Sequence, residues 1–185
     1  MFGLYINNMS KITYIIPTMN RPSLSTSITS ILSQDPTARV IVQQGGSAGE
    51  NRNSGLLSEV ITNTVVDEHS DWISFLDDDD FYREGYLSEV DDSYDLIVLK
   101  MLQNGVEIPR DSNLVGGNVG INFMISTSFL SNIMLQSGEM DTAYLFDSLG
   151  HAEDWRFLEK ILQHNPRVKI TEKVYYECSQ VNHML

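Results

Sequence analysis

The chain has 185 residues and a single cysteine, Cys178. No intrachain disulfide can form, and no cysteine-based metal cluster is available. That suits a reducing compartment. Positive charge is also scarce: twelve Lys and Arg stand against 25 Asp and Glu, a formal charge of −13. Long-range electrostatics therefore disfavour nucleic acid or an anionic membrane as the main partner. No apolar run approaches the roughly 20 residues needed to span a bilayer. The opening MFGLYINNMSK lacks a basic leader followed by an apolar core, so a soluble, cytoplasmic protein without a membrane span is expected.

What is present alternates between strand and helix signals. Ile12 to Ile16 is a β-branched run that stops at Pro17, as a buried strand does. Pro22 suits the first turn of a helix, and Leu24, Ile28, Ile31 and Leu32 follow at helical spacing. Val40 to Val42 reads as a second strand, followed by the turn Gly45-Gly46-Ser47-Ala48-Gly49. Ser47 and Glu50 have capping-box spacing for a helix carrying Leu56, Leu57 and Val60. Gly55 inside that helix costs up to about 1 kcal/mol relative to Ala, so close packing is expected there.

Trp72 to Leu76 is a third strand, and Leu96 to Leu99 and Ile121 to Ile125 are further ones. Trp155, Leu158, Ile161 and Leu162 mark a helix beginning near Glu153, with Val174 to Tyr176 as a late strand. The order predicts a single Rossmann-like α/β domain over residues 1–185, an open and mostly parallel sheet flanked by helices. Ligands in such sheets bind beyond the carboxyl ends of the strands.

The third strand runs directly into Asp77-Asp78-Asp79-Asp80. Adjacent carboxylates raise one another's pKa unless a cation is present. Hard divalent cations such as Mg²⁺ or Mn²⁺ prefer oxygen ligands and can bridge a carboxylate to a diphosphate. A solvated acidic turn is the plainer reading of four aspartates, and their place after WISFL argues against it.

Four segments taken together resemble glycosyltransferase family 2, an inverting family of nucleotide-diphospho-sugar enzymes with the GT-A fold. ITYIIPTMNRP resembles its opening strand and loop, and GENRNSGL its Arg-Asn-x-Gly-Leu stretch. FLDDDDFY resembles the DxD element, and HAEDWRFLEKI the Glu-Asp motif. The resemblance implies a donor site in which Thr18 lies against the nucleoside and Arg52 contacts the base or the diphosphate, with Arg21 a nearby cation. Asp77 or Asp78 would touch the ribose. Asp79 is the first candidate for the metal, Asp80 the next, and His183 a late third ligand. Asp154 would be the general base that takes a proton from an acceptor hydroxyl. The cofactor implied is a divalent metal, Mn²⁺ or Mg²⁺; the donor is a nucleotide sugar, with UDP-glucose as the first trial. The acceptor is a glycan, protein or small molecule.

The second strand departs from the family pattern. It ends in Gln43-Gln44-Gly45-Gly46-Ser47, where an acidic residue and Asp-Gly-Ser are usual. Gln44 or Gln43 is expected to substitute, because an amide both donates to and accepts from a uracil edge. Trp155 reads as core and Glu153 as structural or as a tuner of Asp154. The Gly116–Gly120 loop is expected near the donor sugar or acceptor. Two rivals stand beside the transferase reading. One is a sugar-phosphate nucleotidyltransferase, against which PTMNRP lacks a basic, glycine-rich triphosphate loop. The other is a non-catalytic nucleotide- or carbohydrate-binding domain of the same fold.

Overall fold

A computed structural model of the chain describes residues 10–65, 70–134, 145–147 and 152–179. Strand β1 (Ile12–Pro17) is buried at every position, which is why its sequence shows no alternation: it lies inside the sheet with both faces covered. It pairs in parallel with β2 (Arg39–Gln43) on one side and β3 (Trp72–Phe75) on the other. The connections are helices α1 (Leu24–Leu32) and α2 (Ala48–Val65).

The remaining strands are β4 (Phe81–Tyr82), β5 (Leu96–Gln103), β6 (Val106–Ile108), β7 (Phe123–Ser126) and β8 (Val168–Glu177). They complete an eight-stranded sheet of order β2-β1-β3-β7-β5-β8-β4, with β6 on β5. Helices α3 (Thr127–Met134) and α4 (Glu153–Leu162) flank it. Five strands run one way, and β4, β6 and β7 run the other. The predicted α/β, mostly parallel sheet is therefore present, with β7 inserted in reverse between β3 and β5. Among the described residues no helix is long and apolar enough to cross a membrane.

Local differences from the sequence reading have physical causes. The late strand extends back to Val168 because Val168, Ile170 and Val174 alternate with Lys and Glu and are only half-buried. The β5–β6 hairpin closes on Asn104 and Gly105, both at positive φ (51° and 76°), the backbone that Asn-Gly turns favour. The expected capping box forms: Ser47 N–H donates to Glu50 Oε2 at 2.8 Å, and Glu50 N–H to Ser47 Oγ at 3.2 Å. Gly55 is packed as expected, since a Cβ there would lie 2.6 Å from Ile15 Cγ2. Beside it Phe75, Phe123, Phe146 and Phe157 form an aromatic core, with Phe146 stacked on Phe157 at 4.0 Å.

Candidate active site

The four aspartates leave the carboxyl end of β3 in alternation. Asp78 and Asp80 are buried, at 3% and 7% exposure, while Asp77 and Asp79 are half-buried. The two inward carboxylates are held by protein groups. Asp78 accepts from Thr18 Oγ1 (2.7 Å), Met19 N–H (3.0 Å) and Arg21 Nη1 (2.9 Å). The loop after β1 can reach it because Asn20 adopts a left-handed φ of 61°, and Asn20 N–H donates to Thr18 Oγ1. Thr18 is thus buried, its hydroxyl donating to Asp78 and accepting from Asn20 N–H.

Asp80 accepts from Tyr176 Oη (2.9 Å) and from Ser179 N–H (3.0 Å). Tyr176 packs edge-on against Tyr82, which stacks on Tyr86. This buried tyrosine floor supports the acidic loop. Neither Tyr176 nor Ser179 carries a motif that singles it out in the sequence, since both arrive from the far end of the chain.

Asp77, Asp79, Asp80 and Asp154 line one cleft of about 430 Å³. Its other walls are Met101, Gln103, Asn104, Gly120, Ile121, Cys178 and Ser179. Asp154 arrives on the first turn of α4, directly after Ala152, which has a left-handed φ of 66°. Its Oδ1 accepts from Trp155 N–H at 2.7 Å. The glycine loop meets α4 there. A Cβ at Gly120 would lie 3.4 Å from Asp154 Oδ2, and one at Gly116 would lie 3.2 Å from the Trp155 ring.

The charged side chains that line the cleft are all acidic, and Arg21 and Arg52 pair with Asp79 and Asp77 from outside the lining. All twelve lysines and arginines fall within the described residues, and none of them lines the cleft. Burial, followed by repulsion from Asp77, pushes Asp80 up to about 7. Asp79 is raised by burial against the pull of Arg21, with Asp77 and Asp78 adding to the rise. Asp154 is raised by burial too; Trp155 N–H and Arg52 oppose the rise, and Glu153 and Asp77 add to it.

An all-carboxylate donor set with surplus negative charge fits a hard divalent cation. Among the described residues no three His, Cys, Asp or Glu converge into a ready-made cage. Mg²⁺-like ions do not need one, because they take one or two carboxylates together with waters and substrate phosphates.

None of the other expected residues among the described ones lines this cleft. Arg21 sits at its rim, 35% exposed, pairing with Asp78 at 2.9 Å and Asp79 at 2.8 Å. Gln44 is exposed just past the end of β2. Arg52 is 3% exposed and does not line the cleft; it pairs with Asp77 and with Glu153. His183 lies outside the described residues.

The chain matches no family model and no curated sequence. Solved structures do match. Residues 1–349 of TarS from S. aureus superimpose with a TM-score of 0.66 at 19% identity, over 91% of this chain and 60% of that one. The mannosyltransferase PcManGT from Pyrobaculum calidifontis, solved with GDP-Man and Mn²⁺, gives 0.60 at 13% identity, over 94% and 58%. A mutant Drosophila β1,4-galactosyltransferase 7, solved with manganese, UDP-Gal and xylobiose, gives 0.51 at 13%, over 89% and 66%. The chain therefore has the GT-A-like fold that these glycosyltransferases share. It spans about 60% of the TarS fragment's length.

Proposed function

We propose that this protein is a metal-dependent, inverting glycosyltransferase, similar to family 2, that moves a sugar from a nucleotide-diphospho-sugar to an acceptor hydroxyl. The observation that carries the reading is the meeting of Asp77, Asp79 and Asp80 with Asp154 in one cleft at the carboxyl end of β3. Two of the similar structures hold a nucleotide sugar with Mn²⁺ or manganese, which supports the same ligand class here.

In this reading Asp79 and Asp80 hold Mn²⁺ or Mg²⁺, with His183 as a further ligand. When bound, the metal supplies charge stabilisation to the departing diphosphate. Arg21, at the cleft rim, adds positive charge to the same end. Asp77 offers a half-buried carboxylate to the ribose, while Asp78 orders the loop that carries Thr18 against the nucleoside. Gln44, exposed past the edge strand, reads the base.

Asp154 accepts the proton of the acceptor hydroxyl as that oxygen attacks C1, and burial makes it a stronger base than an exposed aspartate. Attack from the side opposite the leaving group inverts the anomeric carbon without a covalent enzyme intermediate. The amide side chains of Gln103 and Asn104 line the same cleft as Asp154. With no lysine or arginine on that wall, a neutral, hydroxyl-bearing acceptor fits best.

Calorimetric titration with UDP, with and without Mn²⁺, repeated with GDP and with Asp79→Ala, tests the donor site. UDP binding that needs both the metal and Asp79 is expected, and UDP-glucose is then the first donor to assay. Failure of every nucleotide to bind under all conditions refutes the transferase reading.

A further inference from the structure

Three consecutive residues near the start of α2 each hold a different segment, the preceding glycine turn in one case and distant parts of the chain in the other two. Asn51 donates through Nδ2 to Gly46 O (3.1 Å) and accepts from Gly46 N–H (3.2 Å). Asn53 donates to Phe146 O and accepts from Phe146 N–H, both at 2.8 Å. Between them Arg52 donates through Nη2 to Asp77 Oδ1 and through Nη1 to Glu153 Oε1 at 2.8 Å. Its guanidinium lies 5.6 Å from the centre of the Phe146 ring. Successive helical residues point about 100° apart, so one turn of α2 can grip three segments at once.

We infer that Arg52 is a positioning residue: one buried guanidinium joins Asp77, at the donor end of the cleft, to Glu153, beside Asp154, and thereby sets the spacing between the acidic loop and the base. The inference deepens the glycosyltransferase reading and rests on it only for what the spacing serves. The geometry of Arg52 separates this role from direct contact with the donor. Both terminal nitrogens are committed to carboxylates, and Nε is buried without a partner. With 3% exposure and no share in the cleft lining, the side chain presents no free edge to a diphosphate. Asp77, by contrast, keeps a 36% exposed side chain while its other face is held.

A rigid backing makes the bridge effective. Gly55, one turn beyond Arg52, brings α2 against Ile15 of β1, and Gly49 lets the backbone carbonyl of Asp147 approach α2. Arg52 therefore projects from an element that is fixed to the sheet. A planar fork can engage two carboxylates on opposite sides, whereas an ammonium is a single point charge.

The test compares Arg52→Lys and Glu153→Ala with the unmodified full chain. Hydrogen exchange is read at two amides: Asp80 N–H, which donates to Asp77 O, and Arg156 N–H, which donates to Ala152 O. UDP affinity with Mn²⁺ and turnover of UDP-glucose are measured beside it. In Arg52→Lys both amides exchange at least about fivefold faster. UDP affinity stays within about threefold, while turnover falls by roughly a hundredfold, as a misplaced catalytic group does. Glu153→Ala, which retains Arg52 and Asp77, accelerates exchange at Arg156 alone with UDP affinity unchanged; it decides the matter if Arg52→Lys does not fold. Loss of UDP affinity by about thirtyfold in Arg52→Lys with both amides unaltered overturns the inference in favour of a donor ligand. Unaltered exchange in both variants overturns it outright. Should the unmodified chain bind no nucleotide, the transferase reading fails, and the exchange data still decide the bridge.

Discussion

Replacing Gly55 by Ala sets two effects of known size against each other. An alanine favours the helix by about 1 kcal/mol over glycine. Its Cβ, however, would lie 2.6 Å from Ile15 Cγ2 and 3.2 Å from Cγ1, where carbon atoms prefer about 3.5–4.0 Å. Nearly an ångström must be found, and Ile15 has little freedom to yield it. It is fully buried, β-branched, and its backbone is paired with Ile41 on one side and Phe75 on the other. Overpacking of this kind costs about 1–3 kcal/mol. The two effects leave Gly55→Ala destabilised by up to about 2 kcal/mol, or up to about 8 °C in Tm for a chain of this size.

Thermal and urea unfolding measure the change, and Ile15→Ala supplies the control. Alone it costs about 2–5 kcal/mol. In the double variant the new methyl occupies space that Ile15 has vacated, so the pair should recover about 1 kcal/mol or more relative to additivity. Because Arg52 lies one turn earlier on α2, Gly55→Ala should also lower turnover more than UDP affinity. A gain in stability of about 1 kcal/mol, the helix preference acting alone, refutes the packing argument.

Asp154→Asn should keep UDP and metal binding and reduce transfer by about 10²–10⁴; loss of UDP binding would show that Asp154 is not simply the base. Since that base works ionised and burial raises its pKa, transfer should fall as pH drops through the raised value. The acid limb of the rate profile then lies above the ordinary aspartate range, and a limb at or below about 4 contradicts the assignment. Asp79→Ala should weaken metal-dependent UDP binding and His183→Ala should weaken it less, as read by calorimetry; unchanged affinity in the first moves the metal to another aspartate. Ala152→Gly relieves a left-handed alanine at φ 66° and should stabilise the fold by about 0.5–1 kcal/mol in urea unfolding, with a loss of stability as the refuting outcome.

Much of the architecture is local information. The β-branched run at Ile12–Ile16, the capping pair Ser47 and Glu50 and the helical spacing of Leu158 and Ile161 each declare their element through propensity and period, which act over a few residues. These signals predict α/β order, and they predict that Asp77–Asp80 emerge at a strand's carboxyl end, where ligands bind in open sheets. Composition likewise excludes a disulfide scaffold and disfavours a polyanionic partner, because cysteine count and net charge do not depend on folding.

Other features exist only once the chain is folded. The reversal of β7 between β3 and β5 pairs residues about fifty positions apart, beyond the reach of any local pattern. Four identical aspartates cannot be told apart in sequence. The alternation of the chain, with Thr18 and Arg21 around Asp78 and with Tyr176 and Ser179 holding Asp80, sets Asp78 apart as a loop anchor and leaves Asp77, Asp79 and Asp80 lining the cleft. Arg52 shows the same limit most clearly. Its neighbours in sequence place it in a stretch resembling Arg-Asn-x-Gly-Leu, which implies a base or diphosphate contact, whereas Asp77 and Glu153, the latter 101 positions away, decide that it is buried. A guanidinium loses too much hydration to be buried without such partners, and tertiary structure alone can bring two carboxylates to it.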